Sequence, residues 1–85
     1  MENAVGRIVR SAAGRDKGKF LVVVAADDEF VMVADGKERR LGNLKRKRLK
    51  HVKFTNTVID MTNITDKKLR SITGEWNLRA CDPRN

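Results

Sequence analysis

The chain is poor in the residues that active-site chemistry draws on. Among its 85 residues it holds one cysteine, Cys81, one histidine, His51, one proline and no tyrosine. A single cysteine excludes an intramolecular disulfide and a cysteine metal cage, and it points to a reducing compartment. The one histidine lies between Lys50 and Val52 with no evident carboxylate partner, so it forms no triad. Asp27, Asp28 and Glu29 crowd an expected turn tip, where water is not excluded and acid–base work is disfavoured. The sequence therefore predicts no enzyme, no metal, no cofactor and no small-molecule substrate. No run approaches the roughly 18 consecutive apolar residues of a membrane helix. Met1-Glu2-Asn3-Ala4 lacks the basic-then-apolar order of a signal peptide. These absences predict a soluble cytoplasmic protein without membrane association.

Acidic residues are also scarce. Eleven Asp and Glu face nineteen Lys and Arg, a net charge of +8. That imbalance favours polyanions by attraction and counterion release, and says nothing about fold. At this length there is room for one modest core.

What is present reads as β structure. Val5–Ser11 forms a first strand and Lys19–Ala26 a second, the latter apolar on both faces as in a central strand or a closed wall. Asp27-Asp28 turns the chain into a third strand over Glu29–Ala34, which ends at the strong turn pair Asp35-Gly36. A polar fourth strand is expected over Lys37–Leu41, broken by Gly42-Asn43, and a fifth over Leu49–Phe54. Short strands with closely spaced turns predict an all-β fold, a small partly open barrel occupying residues 1–60. Residues 61–85 form a tail. There Thr65 caps a short helix from Asp66, with Ile64 and Leu69 as a hydrophobic staple. Leu69, Ile72 and Trp76 share a face that folds back on the barrel, and Gly74 is a candidate end to the helix. Asp82-Pro83-Arg84-Asn85 is expected to fray.

The cations fall into two groups. The first is the loop Gly14-Arg15-Asp16-Lys17-Gly18-Lys19, whose glycines allow the chain to bend while Arg15, Lys17 and Lys19 face outward. Its spacing does not fit a phosphate-cradling nucleotide loop, because three residues separate the glycines and Phe20 follows the lysine. A plain hairpin turn is the alternative. The second group is the tract Lys37, Arg39, Arg40, Lys45, Arg46, Lys47, Arg48, Lys50 and Lys53, in which Glu38 is the one acid. A solvated charged surface is its simpler explanation. Aromatic rings are too few for a single-strand stacking platform. Phe20, Phe30 and Trp76 are expected in the core, leaving Phe54 as a stacking candidate.

The strand, glycine-bracketed basic loop and apolar strand over Val5–Val33 resemble the KOW motif of ribosomal proteins and transcription elongation factors. The sequence Ala34-Asp35-Gly36-Lys37, with Lys45-Arg46-Lys47 and Lys50-His51, is similar to a bacterial group related to the fourteen-e class of large-subunit ribosomal proteins. That group is expected to carry a proline before the Lys-Arg-Lys element and an asparagine after it; Leu44 and Arg48 stand there instead. The resemblance implies an SH3-like five-stranded barrel that contacts ribosomal RNA through Arg15–Lys19 and Lys45–His51.

Together these features predict non-catalytic binding of structured RNA. Arg15, Lys17, Lys19, Arg39, Arg40, Lys45, Arg46, Lys47, Arg48 and Lys50 are the candidate phosphate contacts, with His51 as a hydrogen-bonding aid. The alternative is a protein-interaction barrel docking on an acidic surface of the transcription or ribosome-assembly machinery. DNA binding is disfavoured by the lack of a recognition helix.

Overall fold

The computed structural model describes residues 4–80. Cys81 and the Asp82-Pro83-Arg84-Asn85 segment lie outside the described residues. Strands β1 (Arg7–Ser11), β2 (Phe20–Ala26), β3 (Phe30–Ala34), β4 (Lys45–Arg48) and β5 (Val52–Val58) are followed by helix α1 (Asp66–Ala80). The strands form one open antiparallel sheet in the order β4-β3-β2-β1-β5. No helix among the described residues is long and apolar enough to cross a membrane.

The first three strands fall where the apolar runs place them. Between β2 and β3 the Asp27 carboxylate accepts the backbone N–H groups of Glu29 (2.9 Å) and Phe30 (2.8 Å), closing the expected tight turn. The next segment departs from expectation. Residues 37–41 form no strand, because the Asp35 carboxylate accepts the N–H groups of Lys37 (2.8 Å) and Arg39 (2.9 Å) and coils the chain locally. The strand that pairs with β3 is instead the wholly cationic Lys45–Arg48, an edge strand whose charges suit its exposed side. A 3-10 turn at Leu49–His51 then precedes β5, which therefore starts three residues later than expected and runs on to Val58.

The sheet buries both faces. On one side Val9, Leu21, Val23, Val31, Val33 and Val52 form a cluster joining β1, β2, β3 and β5. Register shifts between Arg7 and Val9 and between Val23 and Ala25 bend the strands around it. On the other side Ile8, Val22 and Ala34 pack with Leu69 of α1, flanked by Phe20, Ile64, Ile72 and Trp76. The Phe20 and Trp76 rings meet at 5.2 Å between centroids. Each fully buried Val, Leu or Ile contributes roughly 1.5–3 kcal/mol, so neither cluster is dispensable.

Helix α1 begins as its sequence predicts: Lys68 N–H donates to the Thr65 hydroxyl at 3.2 Å, and Leu69 N–H to the Thr65 carbonyl at 2.9 Å. It is longer than expected, continuing through Gly74 to span 15 residues. Asn77 explains why the extension holds. Its side-chain oxygen accepts Phe20 N–H at 2.8 Å, fastening the later turns to the start of β2.

Candidate nucleic-acid interface

The β1–β2 loop is held in shape by backbone bonds and by one acid. Gly14 and Gly18 sit at φ of +87° and +88°, where a side chain is strained. Lys17 N–H donates to the Gly14 carbonyl at 3.2 Å and Lys19 N–H to the Asp16 carbonyl at 2.9 Å. Arg15, Lys17 and Lys19 are exposed. Asp16 points inward. Its carboxylate accepts the Ser11 hydroxyl at 2.8 Å and lies 2.9 Å from the Lys47 ammonium and 3.3 Å from that of Lys45. The Lys47 ammonium also donates to the Ala13 carbonyl at 2.9 Å. Burial pushes the Asp16 carboxyl up, but the Lys47 and Ser11 hydrogen bonds and the Lys47 charge outweigh it. The result lies below the ordinary 3.8.

This clamp divides the Lys45–Arg48 run. In a strand successive side chains point to opposite faces. Lys45 and Lys47 pair with Val33 and Val31, on the face of the inner cluster, while Arg46 and Arg48 pair with Met32 and Phe30 on the other. The Lys47 side chain is only 6% exposed, its charge engaged by Asp16, and Lys45 is 30% exposed. The two lysines thus serve the loop. Arg46 and Arg48 face outward, their guanidinium carbons 4.3 and 5.4 Å from the centre of the Phe30 ring.

That contact corrects the expectation for the aromatic residues. Phe30 joins neither core cluster; it is half-buried, a platform beneath two arginines. Phe54, the expected stacking ring, packs against the inner cluster because Val9, its cross-strand partner, faces that way.

The other candidate residues are spread around these two features. Arg39, half-buried, and Arg40, exposed, belong to the 35–44 loop and not to a strand. Lys50 is exposed on the 3-10 turn. His51 is half-buried there, and its carbonyl accepts Ala12 N–H at 2.7 Å, a second tie between the turn and the glycine loop.

Four cations outside the expected contacts stand beside the loop: Arg10 on β1, Arg70 on α1, and two lysines of the basic tract, Lys37 and Lys53, the latter on β5. Arg10 and Lys53 are directly opposite each other in the ladder. With Lys17 they line a pocket of about 230 Å³ in which no acid takes part. That pocket shares Arg10, Lys17 and Gly18 with a groove of about 690 Å³, bounded by the loop, by residues 35–38 and by α1. The signal for Arg10 was available in the sequence, since it follows Ile8-Val9 at a position facing away from Val9; Arg70 is revealed only by the docking of the helix.

No three His, Cys, Asp or Glu side chains among the described residues are grouped to hold a metal. Compared with known families and curated proteins, the chain matches no family model and no curated sequence.

Proposed function

We propose that this protein binds structured RNA without catalysis, and that its open sheet is an SH3-like barrel of the KOW type. Ribosomal RNA is the target that the KOW resemblance suggests, which would put the protein to work in the cytoplasm with the ribosome. One observation carries the reading. The acid of the glycine loop is turned inward onto Lys47, so the outer side of the loop offers Arg15, Lys17 and Lys19 to solvent while Asp16 is withdrawn. The same clamp joins the loop to β4, from which Arg46 and Arg48 project over Phe30. Guanidiniums ordered on a ring lose less freedom on meeting phosphate than free side chains do.

The test is the salt dependence of binding to a labelled stem-loop RNA. With about five phosphate contacts, log affinity falls with log salt at a slope of roughly −4. A protein-docking role would instead give cellular partners that survive nuclease treatment, with no measurable affinity for the stem-loop.

A further inference from the structure

The groove beside the glycine loop has a construction that stability alone does not call for. Arg10 and Lys53 oppose each other directly in the β1–β5 ladder, and Lys17 reaches the same pocket. Like charges directly opposite in a sheet are destabilising. The opposite wall is formed by α1, where Gly74 lies on the groove-lining face with Arg70 and Leu78. Glycine is the poorest helix former after proline. Neither crowding nor backbone shape requires it, since a Cβ on Gly74 would meet nothing within 4 Å and no positive φ occurs there. Any ordinary residue would fit and would strengthen the helix, so what the glycine provides is an open wall.

Charge selects the occupant. Arg10, Lys17, Lys19, Lys37 and Arg70 line the groove against two acids, Asp35 and Glu38. The Asp35 carboxylate is turned to the N–H groups of Lys37 and Arg39. Lys19 meets Glu38 at 3.6 Å through side chains that are 51% and 68% exposed, a weak pair that a phosphate can displace.

We propose that this groove seats one sugar–phosphate strand of the bound RNA, passing from Lys53 and Arg10 along Lys17 and Lys19 to Arg70 and resting against Gly74. The proposal depends on the RNA-binding reading above and adds to it a site in which the helix takes part. Glycine is a residue of choice where a backbone must approach a ligand closely.

The experiment compares Gly74→Leu, Arg70→Glu and the double variant Arg46→Glu/Arg48→Glu in the full chain, using a stem-loop RNA and an oligouridine as probes. Gly74→Leu is expected to melt at or above the wild-type temperature while losing at least about tenfold in affinity, because leucine favours the helix but fills the trough. Arg70→Glu is expected to weaken binding by a similar factor and to lessen its salt dependence. Wild-type affinity in Gly74→Leu overturns the groove. If Gly74→Leu and Arg70→Glu bind normally and only Arg46→Glu/Arg48→Glu fails, the groove falls while RNA binding stands. If wild-type protein binds neither RNA but does bind an acidic polypeptide, both fall.

Discussion

Asp16 in the β1–β2 loop and Lys47 in the edge strand β4 are joined at 2.9 Å. The bond ties together two segments that are distant in sequence, while the exposed arginines of β4 leave the strand on its opposite face. Both side chains are largely buried, 15% and 6% exposed, so removing one partner leaves a charge with little water around it. Asp16→Ala is therefore expected to destabilise the protein by about 3 kcal/mol, lowering the melting temperature by something on the order of 15 °C. Thermal unfolding followed by circular dichroism measures it, and an unchanged melting temperature would dissolve the clamp.

The same bond gives stability a pH dependence of known sign. The folded Asp16 carboxyl is held below its ordinary value of 3.8. In acid the unfolded chain then binds its proton first, so acid favours unfolding. The contribution is complete above the ordinary value and is lost as pH falls through the depressed one. Asp27 and Asp60 are held low as well, by the N–H groups of Glu29 and Phe30 and of Thr62, but both are fully exposed and add less. Urea unfolding of wild type and Asp16→Asn at stepped acid pH should show a shallower acid limb in the variant.

Phe30 separates ordering from charge. Phe30→Ala keeps both arginines but removes the ring beneath them, and cation–π contacts at exposed sites are worth about 0.5–1 kcal/mol. RNA affinity should drop roughly threefold with the salt slope unchanged. Arg46→Ala/Arg48→Ala should instead reduce the slope by about 1.5–2 units if each touches one phosphate. Equal slopes in wild type and the double variant would remove these arginines from the interface.

Gly36 is fixed by the helix. It lies at φ +77°, and a Cβ there would fall against the Asp66 carbonyl, 2.6 Å from Arg70 N and 2.9 Å from Leu69 Cβ. Gly36→Ala should therefore cost at least about 3 kcal/mol, through strain and through displacement of α1 from the sheet. Trp76 is the sole tryptophan and packs on Phe20, so its emission reports the loss of docking directly.

Gly36 also shows where sequence reading stops. Asp35-Gly36 reads as a two-residue hairpin turn, yet the chain only bends there with no strand directly following, and the glycine is required by a helix whose approach no local pattern discloses. The first three strands were legible because their apolar runs are unambiguous and the Asp27 turn is local. The strand expected over Lys37–Leu41 was lost to the Asp35 carboxylate, which offers the backbone an alternative to pairing. Lys45–Arg48 has no apolar residue to mark it as a strand, and its unbroken charge concealed the alternation that sends lysines to Asp16 and arginines to Phe30. The basic loop was legible; the anchoring role of Asp16 was not, because its partner Lys47 lies about thirty residues away in the chain.

Because α1 covers Ile8, Val22 and Ala34, the helix is no appendage to a finished β unit. It also steadies the strandless 35–44 stretch at two points: the Asp66 carboxylate accepts Leu41 N–H at 2.7 Å, and the Thr73 hydroxyl donates to the Asp35 carbonyl at 2.9 Å. A fragment ending at Asp60 would lay bare an oily sheet face and slacken the stretch that bears Lys37, Arg39 and Arg40. Such a truncation would aggregate before it could report on ligand binding, and dissection of this molecule has to proceed by point substitution.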